Sequence, residues 1–279
     1  MATVGWDELA AMAADHRSFA PPSKFLLFAE YRFVWELGLS VAAAPLLLRA
    51  PRGDGQPVLV LPGFLASDLS TNLLRNYLKR LGYDPYAWNL GRNLGGVIKM
   101  RGLLHDRLAE IAESTGRKVS VIGWSLGGIY ARLLGHDLPS KVRSVITLGS
   151  PFSRDPKASN VGKLYHLMTG EGLTDEEKTA HMMFPHEFDR IVGDLSMPAT
   201  SIFTKGDGVV SWRACLIHAN RHAENVEVLG ASHIGLGVNP AVLWAVADRL
   251  ALPEGTFEPF ERNGPFGLAY GKPISLEDV

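Results

Sequence analysis

The chain has 279 residues, of which 46% are apolar and 20% charged, so it has the makings of one large or two small globular units. That composition excludes disorder, collagen-like repeat and coiled coil as descriptions of the whole. Lys plus Arg number 28 against 29 Asp plus Glu, a formal net charge of -1 with no basic run, so no nucleic-acid partner is expected.

The single cysteine, Cys215, excludes an intrachain disulfide and fits a reducing, cytoplasmic setting. Residues 1–14 carry Asp7 and Glu8 but no Lys or Arg, so the basic start of a secretory leader is missing. An uncharged apolar run follows at 37–48, interrupted by Pro45. It is too short for the roughly 20 residues that cross about 30 Å of hydrocarbon. A helix buried against the rest of the chain is expected there. Phe25, Leu26, Phe28, Tyr31, Phe33, Val34 and Trp35 precede it, which keeps a second reading in view: a peripheral, lipid-facing surface over 25–48.

The turn formers at 50–57 close this N-terminal helical extension, residues 1–50. Val58, Leu59, Val60 and Leu61 form a short apolar run ended by Pro62 and Gly63, the pattern of a strand buried on both faces. Helical spacing at Leu73, Leu74, Tyr77, Leu78 and Leu81 predicts a helix over 72–81, stopped by Gly82. A strand at 83–90 and a helix at 97–115 follow. Then come a strand at 119–122, a helix at 126–136 and a strand at 142–148.

Two more strands are predicted at 200–203 and 226–229, with a helix after the first that holds Cys215, His218 and His222. A closing helix spans 240–250, its Pro240 in the first turn. This alternation predicts an α/β domain with a mainly parallel sheet flanked by helices, in two stretches, 51–151 and 199–254. Residues 152–198 are expected to form a helical cap inserted before the acid-bearing strand, since long structureless connections are rare. Thr174, Asp175, Glu176 and Glu177 supply a helix start within it. The Gly- and Pro-rich stretch 255–279 is expected to be an extended surface arm.

The sharpest motif is Gly123-Trp124-Ser125-Leu126-Gly127-Gly128, between a predicted strand and a predicted helix. A nucleophile on so tight a turn needs small neighbours, which Gly123 and Gly127 supply, and the helix behind it aims N–H groups at a developing oxyanion. Serine needs a base. Of nine histidines, His105 and His136 fall on predicted helices, as do His218 and His222, while His166, His181 and His186 fall in the expected cap and His16 precedes the sheet. His233 instead follows a predicted strand, at the carboxyl end where parallel sheets place their sites. Asp207 follows the strand before it and is the candidate partner for the imidazole; the rival reading is a simple Asp-Gly turn. Asp189 and Asp194 are weaker candidates because no predicted strand end holds them.

The chain order Ser125, Asp207, His233 belongs to one scaffold. On these three motifs the chain resembles the α/β-hydrolase superfamily, and within it the serine esterases and lipases, over about 57–250 apart from the insertion. The resemblance implies an acyl-enzyme mechanism on carboxylic esters, with Ser125 attacking, His233 taking its proton and Asp207 holding His233. It implies an oxyanion hole from the backbone N–H groups of Leu126 and Phe64. The loop after the first strand reads Pro62-Gly63 where members commonly have His-Gly. Leu65, Trp124, Met182 and Met183 are candidate substrate contacts, with Met168, Leu173 and Phe184 also in the cap; packing between cap and core explains the cap residues as well.

No metal-ligand spacing and no dinucleotide fingerprint occurs in the sequence, so no metal and no organic cofactor is expected. Three functional readings follow. They are a hydrolase of small-molecule or lipid esters, an acyltransferase using the same three residues, and a non-catalytic binding protein that has kept the fold.

Overall fold

The computed structural model describes residues 19–152, 159–160 and 190–278. Most of the expected cap, with Met168, Leu173, Met182, Met183, Phe184 and Asp189, lies outside these residues. So do His16, His166, His181 and His186.

Among the described residues six parallel strands form one sheet: β1 (Pro57–Leu61), β2 (Asp84–Ala87), β3 (Val119–Trp124), β4 (Val142–Leu148), β5 (Ala199–Phe203) and β6 (Ala223–Glu227), in the order β2-β1-β3-β4-β5-β6. Alternation along the strands explains why both faces are covered. Val58 and Val60 join Ile122, Ile146 and Ile202 on one face, whereas Leu59 and Leu61 join Val119, Val121 and Val145 on the other. On the first face pack α4 (Asn72–Arg80), through Leu74, Tyr77 and Leu78, and α7 (Pro240–Ala251). On the second pack α5 (Val97–Thr115), through Leu104, Leu108 and Ile111, and α6 (Leu126–Asp137). This is the α/β-hydrolase fold.

Among the described residues before β1 come the short helices α1 (Lys24–Phe28), α2 (Phe33–Ala42) and α3 (Ala44–Leu47), with a 3-10 turn at Ala29–Arg32. Pro45 starts α3 rather than breaking a longer helix. The face of this segment that meets the rest of the chain is largely polar. Leu27 and Leu47 are buried, but so are Glu30, Glu36 and Ser40, while Phe25, Phe28, Tyr31, Val34 and Trp35 face outward, Trp35 at 79% exposure. Arg32, Glu36 and Ser40 recur every four residues, one stripe of the helix, and that stripe is what meets the core. No described helix is long and apolar enough to cross a membrane.

Two predicted elements shift. The last strand lies at Ala223–Glu227, not 226–229, because buried Glu224 is held by Arg249 at 2.8 Å and by the Phe260 N–H, and Asn225 by both the N–H and the carbonyl of Ile217. These satisfied polar groups enter the sheet, and Leu229 leaves it half exposed. The predicted helix carrying His218 and His222 is only a 3-10 turn, Trp212–Cys215; the same Asn225 contacts hold the following chain extended. The C-terminal stretch is an arm of turns with a buried footing: Phe260 and Tyr270 join the core and pack against each other edge to face, and Tyr270 bridges to Val228.

Candidate active site

The strand order reverses direction between β1 and β3, so the crevice beyond their carboxyl ends is where such a sheet places its site. Ser125 stands there, directly after β3, with φ 52° and ψ -121°. Such a backbone is costly for any residue with a Cβ and persists only where the surroundings impose it. The surroundings here are close packed. A Cβ on Gly123 would run into the backbone of Gly127 and Gly128, and one on Gly127 would sit 2.8 Å from the Pro62 carbonyl oxygen. The Ser125 N–H donates to Leu148 O on β4 at 2.8 Å, pinning the turn to the sheet.

Asp207 and His233, from the loops after β5 and β6, meet with Oδ2 and Nδ1 2.7 Å apart, both buried. The other carboxylate oxygen accepts the N–H groups of Val209 at 2.8 Å and Val210 at 2.7 Å. Asp207 is therefore both the turn residue of the rival reading and the partner of the imidazole; one oxygen serves each role. Gly149, after β4, faces this pair so closely that a Cβ would lie 3.0 Å from His233 Nδ1 and 3.3 Å from Asp207 Oδ2. Burial disfavours the imidazolium, but the Asp207 carboxylate, its hydrogen bond and the Glu30 charge outweigh it, so the His233 pKa is raised above its ordinary 6.5.

The residues beside this pair take up distinct places. Trp124 turns toward the histidine loop: its indole N–H donates to His233 O at 3.2 Å, and the ring packs on Gly237. Leu126 begins α6, so its N–H belongs to the first turn, whose donors lack intrahelical acceptors. Phe64 lies in the loop after β1, half-buried on the second core cluster. Leu65 has φ 62° and gives its N–H to Asn93 O at 2.7 Å, and Asn93 also donates to Pro62 O, which fixes the loop next to Ser125. The other candidates lie elsewhere. His105 pairs with Asp137 at 2.8 Å, His218 is exposed near Glu277, and Asp194 is exposed beside Arg132. Cys215 is buried, and that burial pushes its thiol pKa up.

A group of N-terminal side chains reaches this site, and the sequence reading passed over them. Glu30 Oε1 accepts the N–H groups of Gly208 at 2.7 Å and His233 at 3.0 Å, and its Oε2 accepts that of Ile234 at 2.9 Å. Glu36 holds the Ser232 N–H at 2.9 Å, the Ser232 hydroxyl and the Asn239 amide at 2.7 Å. Arg32 donates to the carbonyls of Gly206, Gly230 and Ala231, and Ser40 to that of Val238. Two carboxylates and a hydroxyl inside an otherwise aromatic segment were the available signal.

No protein-family model and no curated protein sequence matches the chain. By structure it is similar to a monoacylglycerol lipase from Paleococcus ferrophilus, with TM-score 0.50 and 14% identity over 72% of this chain and 97% of that one. It is also similar to an alpha/beta superfamily hydrolase from Oenococcus oeni (0.50, 19% identity, 69% and 90% of the two chains). A metagenome-derived lipolytic enzyme gives 0.51 at 14% identity, over 72% and 93%. At these identities the likeness establishes the fold, and the chain carries that of the α/β hydrolases.

Proposed function

We propose that the protein is a serine hydrolase of carboxylic esters. The observation that carries this reading is the buried Asp207–His233 pair at 2.7 Å, at the same carboxyl ends of the sheet as a serine in a strained turn. In the proposed mechanism His233 accepts the Ser125 proton as the serine oxygen attacks the ester carbonyl. Asp207 fixes the proton of His233 on Nδ1 and stabilises the imidazolium that forms. The N–H groups of Leu126 and Phe64 receive the oxyanion, His233 protonates the leaving alcohol, and water releases the acid by the same route. No cofactor enters this scheme.

Lipid esters suit the surface around the N-terminal helices, where Phe25, Phe28, Tyr31 and Trp35 stand exposed within one short stretch. Peripheral contact of residues 25–48 with a lipid aggregate is part of this proposal. The test is hydrolysis of p-nitrophenyl esters from acetate to palmitate by the wild type and Ser125→Ala. Turnover that disappears in the variant is expected, and its chain-length optimum sizes the acyl site. Turnover unchanged by Ser125→Ala overturns the assignment. Ester products formed only when an alcohol is supplied would move it to an acyltransferase, and no turnover at all to a binding protein.

A further inference from the structure

We propose that Glu30 is a positioning residue of this site: its buried carboxylate locks the acid loop to the histidine loop and supplies the imidazole with a second negative charge. The proposal rests on the serine hydrolase reading above, but it has its own observation. The carboxylate is 2% exposed as a residue and spends both oxygens on three backbone N–H groups, one in the loop of Asp207 and two at His233 and Ile234. The residue reaches across from the opposite end of the chain to do so. Hydrogen bonds from backbone amides favour the ionised form of a carboxyl group.

Two consequences follow from that placement. The first is geometric. The acid and the base stand on separate loops, after β5 and β6, and Glu30 Oε1 accepts one N–H from each, so their separation is set by a shared acceptor atom. The second is electrostatic. Burial raises the Glu30 pKa, and so does the Asp207 charge; the His233 charge and the N–H groups of Ile234 and Gly208 offset part of that rise. Its charge is among the causes that raise the pKa of His233.

Four charged groups surround His233, one from the loop after β5 and three from the N-terminal segment. Asp207 bonds the ring, Glu30 lies behind its backbone, Glu36 holds the neighbouring Ser232 from α2, and Arg32 caps the carbonyls of Gly230 and Ala231. Arg32 stays in place in the variants below, so the change they impose is the loss or retreat of one negative charge.

The experiment compares wild type with Glu30→Gln, an isosteric change that removes the charge and turns an amide N–H toward a backbone donor. Two readouts are taken: the pH profile of kcat/KM on p-nitrophenyl butyrate, and an NMR titration of the His233 imidazole that needs no substrate. Losing the charge lowers the His233 pKa, so the acid limb of the profile and the imidazole titration both move to lower pH. The loosened loops lower kcat about tenfold to a hundredfold with KM little changed.

A purely structural role would lower stability and leave both titrations where they are, and that result overturns the proposal. If Glu30→Gln does not fold, Glu30→Asp, which draws the charge back by one methylene, is expected to lower the His233 titration by a smaller amount. An unchanged titration there overturns it too. Wild-type turnover that survives Ser125→Ala would sink the hydrolase reading instead. The NMR titration still decides the place of Glu30 in that case, so the two failures are told apart.

Discussion

Replacing Asp207 by asparagine tests the acid–base assignment with almost no change of shape. The structure says which way the new amide must turn. The oxygen that receives Val209 and Val210 can remain an oxygen, which puts the NH2 group opposite His233 Nδ1. The flipped rotamer would set that NH2 against two buried N–H groups. At about 1–3 kcal/mol for each buried donor left unpaired, the flip is disfavoured by about 2–6 kcal/mol, roughly thirtyfold or more. With an amide donor facing Nδ1, that nitrogen must be an acceptor and the imidazole proton sits on Nε2. There it cannot accept the Ser125 proton. A loss of about 10⁴ in kcat is expected, with the fold retained, as for the same exchange in other triads. The assay is steady-state hydrolysis of p-nitrophenyl butyrate beside a thermal melt. A rate within tenfold of wild type, in a protein that melts normally, would refute the reasoning, since no tautomer constraint would then exist.

Two further substitutions probe the N-terminal segment from its two sides. Glu36→Ala leaves the Ser232 N–H, the Ser232 hydroxyl and the Asn239 amide without their buried acceptor, and should cost about 2–5 kcal/mol in urea denaturation; a loss under ~1 kcal/mol would mean that water or a neighbour replaces it. Trp35→Glu, at a side chain 79% exposed, should shift stability by no more than about 0.5 kcal/mol while reducing binding to phosphatidylcholine vesicles. Unaltered vesicle binding would remove residues 25–48 from the proposed lipid contact.

Most of the sheet could be read from the sequence because its strands are apolar on both faces and bounded by Gly and Pro. The run Val58 to Leu61 and the helix at 97–115 stand where periodicity placed them. The serine turn was legible for a different reason: Gly123 and Gly127 are needed wherever segments cross at this distance. What escaped was everything decided by buried polar groups. Glu224 and Asn225 read as a surface stretch until Arg249 and Ile217 are brought beside them, which moved the last strand by several residues. Glu30 and Glu36 likewise look solvated until their acceptor oxygens are seen to meet backbone donors nearly two hundred residues away. Apolar periodicity reports where oil goes; it is silent about a carboxylate whose partners come from the far end of the chain.

The arm after α7 has a consequence for how copies of this protein meet one another. Strand β6 ends the sheet, and an end strand carries a row of backbone donors and acceptors that another chain can adopt. Here the arm takes that role itself. The Leu229 N–H goes to Ala269 O, the Gly271 N–H to Glu227 O, and Arg262 donates to the Asn225 carbonyl. Phe260 and Tyr270 anchor the arm in the core, so it cannot peel off without exposing two aromatic rings. Residues 260–271 thus act as a selvedge, finishing an edge that would otherwise be open to weaving with a neighbour.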